Sequence, residues 1–158
     1  MSVLVEDPAW RQAVPGAAAT ASRALRCALA GVGAPAGGMS LLLSDDRRVQ
    51  HLNAAFRGFD RPTNVLSFPA DGGADYFGDI ILARQTLQRE AAVQDKRVRD
   101  HLAHLVVHAV LHLFGYDHRT GGEAERMEWR ERRILADLSI ADPYRPRSGR
   151  RRVRTVLS

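Results

Sequence analysis

The chain holds one cysteine, Cys27, among its 158 residues, so no internal disulfide can form and folding must rest on the core alone. It has no apolar run near the roughly 18 to 20 residues that a membrane span needs. The opening, MSVLVEDPAW, sets Glu6 and Asp7 where a signal peptide carries a basic stretch and an apolar core, which predicts a cytoplasmic protein without a membrane partner. Internal repeats are absent too. What is present is an ordinary globular mixture, 45% hydrophobic and 26% charged in 17.4 kDa, which excludes a disordered, collagen-like or disulfide-scaffold chain and predicts one compact domain.

Acidic residues are missing from one region. Positions 143 to 158 carry Arg145, Arg147, Arg150, Arg151, Arg152 and Arg154 with no Asp or Glu, and these six exceed the whole net charge of +5. Residues 1 to 142 are left with 17 basic against 18 acidic side chains, so the high pI comes from the tail and does not by itself indicate an RNA-binding surface. The expected division is a folded domain over 1–144 and a basic, disordered tail over 145–158. Such an arm either attracts phosphates by counterion release or is a passive solvated extension. Lys96 is the only lysine, a bias that phosphate chemistry and genomic composition explain equally well.

Periodicity predicts a strand over 2–5, a helix carrying Ala18, Ala21, Leu25, Ala28 and Leu29, and a second strand from Met39 to Leu43. Ser44 is placed to cap a helix with Val49, Leu52, Ala55 and Phe56 that stops near Gly58. A turn from Asp60 to Asn64 precedes a strand at Val65 to Phe68, and another follows at Ile80 to Leu82; both read as central strands of the sheet. Helices are expected over about 84–92, 98–114 and 122–138, the last with Ala124, Met127, Ile134, Leu135 and Leu138 along one side. The fold class is therefore α/β (α+β), a single layered domain whose small mixed sheet is covered by helices.

Four of the six histidines, His101, His104, His108 and His112, line one face of the predicted 98–114 helix. His108 and His112, one turn apart, project side by side as a zinc-binding pair does. Gly115 can take the left-handed conformation that ends a helix, letting the chain return His118 to the same point. The string HAVLHLFGYDH thus has H-x3-H-x5-H spacing, the ligand spacing of the H-E-x-x-H-x-x-G-x-x-H metalloproteases, and predicts a three-histidine metal site at a helix end. His101 and His104 either support the site or lie on a partly exposed helix face, and both stay outside the ligand set. Asp117 either orients a ligand histidine or makes a turn. Ala109 stands where those proteases carry their general-base glutamate, so peptide hydrolysis would lack the group that moves the proton to the leaving amine.

A second segment, LNAAFRGFDRPTNVLSFP (Leu52 to Pro69), ends a helix at Arg57-Gly58, turns through Pro62-Thr63-Asn64 and enters a strand. Together with Gly78-Asp79-Ile80, HAVLHLFGYDH and Asp142-Pro143-Tyr144, it resembles the YbeY family of bacterial single-strand-specific endoribonucleases, over nearly the whole chain to Tyr144. The resemblance implies one zinc ion per chain and action in maturation of ribosomal RNA, at the 3′ end of the small-subunit rRNA, and in ribosome quality control. Implied partners are single-stranded RNA, the small ribosomal subunit and its assembly factors. Arg57 matches the arginine the family uses in catalysis, and Arg57 with His108 forms the expected catalytic pair. A guanidinium beside a cation suits the negative charge that develops on an attacked phosphodiester; the alternative is a solvated arginine at a helix end. Thr63, Asn64 and Ser67 either contact substrate or form a capped turn. Two other functions remain open, a zinc-dependent hydrolase of a non-RNA substrate and a non-catalytic assembly factor with structural zinc.

Overall fold

The computed structural model describes residues 1–35, 37–58, 63–70, 75–116 and 120–144, with the side chain of Arg57 also outside the description. Its elements in chain order are β1 (Ser2–Val5), α1 (Trp10–Ala13), α2 (Ala17–Gly31), β2 (Gly38–Ser44), α3 (Asp46–Arg57), β3 (Val65–Pro69), β4 (Tyr76–Ala83), α4 (Arg84–Val93), α5 (Val98–Leu113) and α6 (Gly121–Asp137). The four strands form one sheet in the order β1-β2-β4-β3, parallel except for the antiparallel β3–β4 pair. The domain is the expected mixed α/β layer structure. Of the two strands expected to be central, β4 is central and β3 is an edge. A parallel neighbour for β3 would require a crossover connection, whereas the chain between β3 and β4 returns directly to an antiparallel partner.

Alternation along the strands sorts the side chains onto two faces. Leu41, Leu43, Ile80 and Leu82 join the main core with Leu25 and Ala28 of α2 and Leu102, Val106 and Val110 of α5. Ile81, Ala83 and Leu66 face the other way, against Val49 of α3. Each Leu or Ile fully withdrawn from water contributes about 1.5 to 3 kcal/mol, so the two-sided burial of β2 and β4 anchors the fold. Gly78 lies where β4 meets β3: at φ 145° a Cβ there would sit 2.3 Å from the Phe68 carbonyl oxygen, which only glycine avoids.

Two local expectations change. Ser44 does not cap α3; it ends β2, and its hydroxyl donates to Glu6 at 2.7 Å. Asp45 is the cap, its carboxylate accepting from the Arg48 amide at 2.8 Å. The short α1 is an element that periodicity does not announce. It seats Trp10, fully buried, where the indole N–H donates to the Ser44 carbonyl at 2.7 Å.

Helix α5 is the centre of the molecule. Its buried residues fall on nearly every side, with Leu102, Ala103, Leu105, Val106, Val107, Ala109, Val110 and Leu111 all inside. The side of α5 that carries His101, His104, His108 and His112 opens toward a cavity.

Candidate metal centre

That cavity, about 750 Å³, lies between α5, the start of α6 and the edge strand. Val65, Ser67 and Pro69 reach it because alternate β3 residues face α5, while Leu66 faces the opposite layer. From α5 come His101, His104, His108, Ala109 and His112; from α4 and its C-cap, Glu90 and Gln94; from α6, Met127, Glu128 and Glu131; and Tyr144 also lines it.

His104, His108 and Glu131 form a candidate metal-binding cluster, one donor atom of each lying within 4.8 Å of the others. Distances inside it show how the rings are held. Glu131 Oε1 is 2.6 Å from Nδ1 of His108, and Oε2 is 2.8 Å from Nε2 of His104 and accepts from the Tyr144 hydroxyl at 2.5 Å. These are hydrogen-bond lengths to a charged acceptor. Burial would raise the Glu131 carboxyl, but the bonds from His104 and His108 overturn that and hold it well below the usual carboxylate range. Burial also lowers the His104 imidazole, against the opposing pull of the Glu131 hydrogen bond and charge.

His108, held by Nδ1, turns Nε2 away from Glu131 to a point 3.1 Å from Nε2 of His112. Two facing imidazole nitrogens are satisfied by one shared proton or by one cation between them. Ligands bound at about 2.0 to 2.1 Å to a tetrahedral ion stand about 3.3 Å apart, so the spacing and the nitrogen donors fit zinc. The shorter contacts to Glu131 fit an orienting carboxylate behind the ligand.

Not every expected site residue can be placed. His118 and Asp117 lie outside the described residues, as does the Arg57 side chain; the Arg57 backbone is the last helical residue of α3, before the Gly58 cap. Gly115 does adopt φ 89°, the left-handed turn the third-ligand argument required. Asn64 and Ser67 line the cavity. Cys27 packs against the core from α2 and is not among the cavity-lining residues described.

Of the two readings of His101 and His104, the partly exposed face fails: His101 is 3% exposed, the His104 side chain 12%, and each ring bonds a carboxylate at the cavity. Glu131 and Tyr144 were missed as site residues. The signal for Glu131 was present: it falls four residues after Met127 and before Ile134, a lone charge inside the apolar stripe of α6. Such a position requires a buried partner.

An α/β domain with a histidine–carboxylate centre in an open cavity is the class that fold and site define. The model of the family described as Endoribonuclease YbeY matches residues 8–139, and the chain belongs to that family. Endoribonuclease YbeY of Azorhizobium caulinodans is 51% identical over 152 residues, spanning 91% of this chain and 95% of that protein. The protein of that name from Rhodopseudomonas palustris is 50% identical over 151 residues, 90% and 79% of the two chains. The solution structure of TM1509 from Thermotoga maritima has the same fold, with a TM-score of 0.55 at 21% identity over 96% of this chain and all of that one.

Proposed function

We propose that the chain is a zinc-dependent, single-strand-specific endoribonuclease acting in the cytoplasm on ribosomal RNA, at the 3′ end of the small-subunit rRNA and in ribosome quality control. The observation that carries this reading is the pair of Nε2 atoms of His108 and His112, 3.1 Å apart on one face of α5, in a family whose relatives are named endoribonucleases. His108, His112 and His118 would hold one zinc ion. When bound, the ion supplies a Lewis acid beside the scissile phosphate. Arg57 binds the non-bridging oxygens and offsets the charge that grows on them. Ala109, 2% exposed at the cavity wall, leaves no carboxylate one residue after the first ligand. Glu131 does not fill that role, because both its oxygens are taken by His104, His108 and Tyr144. Alanine at the position where the metalloproteases carry their base favours phosphodiester over peptide chemistry.

Arg57→Ala tests the assignment. Cleavage of single-stranded RNA should fall about 10²- to 10³-fold with fold and zinc content unchanged; wild-type rates in the variant would leave Arg57 a solvated helix-end residue. We assign the arginines of the 145–158 arm to phosphate attraction from ribosomal RNA or the small subunit. Truncation after Tyr144 should then flatten the salt dependence of RNA binding by about 0.7 for each phosphate no longer neutralised, and equal slopes with and without the arm would make it passive.

A further inference from the structure

We infer that Glu131 is the positioning residue of the metal centre: its buried carboxylate, held by His104 and Tyr144, fixes His108 with Nε2 turned toward His112. The inference rests on the zinc site proposed above and adds residues from α6 and from the segment after it.

Glu131 is fully buried, in the middle of an apolar helix stripe. A carboxylate in that position costs several kcal/mol unless its oxygens are fully engaged. Three donors engage it, two from α5 and one from the segment after α6: His108 Nδ1 at Oε1, and His104 Nε2 with the Tyr144 hydroxyl at Oε2. The division matters. Because His104 and Tyr144 occupy Oε2, Oε1 remains for His108, and the bond at 2.6 Å keeps the His108 proton on Nδ1. In that tautomer the neutral ring presents the Nε2 lone pair toward His112. The segment after α6 is fixed to serve this arrangement: Asp142 accepts from the Tyr144 amide at 2.8 Å and pairs with Arg132 at 3.2 Å, and the Arg132 guanidinium lies 5.3 Å over the Tyr144 ring.

Glutamine at position 131 keeps the shape and loses the function, because its amide has one acceptor oxygen for three donors. Zinc affinity of the full-length, metal-free chain, measured by competition with a chromophoric chelator, should fall about 10- to 100-fold in Glu131→Gln. Tyr144→Phe removes a donor from Oε2 alone and should weaken binding less. The protonated nitrogen of His108, read by ¹⁵N NMR of the zinc-free proteins, should be Nδ1 in the wild type and shift toward Nε2 in Glu131→Gln. A purely structural glutamate would lower stability and leave affinity and tautomer unchanged. A wild type that binds zinc beside a Glu131→Gln variant of equal affinity overturns this inference alone; a wild type that takes up no zinc overturns the three-histidine site and this inference with it. Should Glu131→Gln fail to fold, the wild-type tautomer decides, and a proton on Nε2 of His108 overturns the assignment.

Discussion

Helix α5 carries three histidine–carboxylate pairings on one face, and they differ in which ring nitrogen is held. His101 bonds Glu90 through Nε2 at 3.0 Å, and His104 bonds Glu131 through Nε2 at 2.8 Å. His108 bonds Glu131 through Nδ1 at 2.6 Å. The Nδ1 atoms of His101 and His104 are buried and have no partner among the described residues, so those rings are tethers that commit their outward nitrogen to a carboxylate. His108 keeps its outward nitrogen, which faces His112. The histidines on this helix face therefore differ in which ring nitrogen a carboxylate holds, a distinction invisible in their spacing.

The largest expected effect breaks this division directly. Replacing His108 and His112 together by alanine should abolish stoichiometric zinc binding, while His101→Phe, a ring of similar size without the tether, should retain one zinc per chain. Elemental analysis of the purified variants checks both. Undiminished zinc in the double variant, or lost zinc in a folded His101→Phe, would put the ligands elsewhere on the helix.

The pair His108 and His112 was legible because helical spacing alone brings i and i+4 side chains together. Its supporting carboxylate was not, because Glu131 is 23 residues away from His108 and reaches it only through the packing of α6 on α5. The apolar stripe of α6 could be read from its hydrophobic members, and the charge within it asked for a partner without naming one. The sheet shows the same limit. Each strand announced itself by composition, yet the edge position of β3 depends on pairing order, and that order decides that Val65 and Ser67 face the histidines. The burial of His101 and His104 was likewise hidden, since a histidine stripe on an amphipathic helix and one on a central helix have the same sequence spacing.

The smallest expected effect sharpens the comparison from the other carboxylate. Glu90 is less enclosed than Glu131, with a third of its side chain exposed against none, and its partners are His101 and the Asn64 amide, which donates at 3.0 and 3.2 Å. Partial burial would raise its carboxyl, but the hydrogen bonds from His101 and Asn64 prevail and lower it from 4.5. A carboxyl lowered on folding adds stability that is fully present above its unfolded value and lost as pH falls through the folded one. Glu90→Gln can still accept both bonds but cannot carry the charge. It should therefore cost about 1 kcal/mol at neutral pH, below the ~1.5 to 3 kcal/mol of an enclosed charge-assisted bond because of the exposure. Urea unfolding of both proteins across a pH series should show curves that draw together below about pH 4.5, where the wild-type carboxylate begins to protonate in the unfolded chain. Zinc stoichiometry should be unchanged, since Glu90 holds His101, which lies outside the proposed ligand set. A constant offset at every pH would mean that the Glu90 charge contributes nothing and that its hydrogen-bonding shape alone joins α4, α5 and the start of β3.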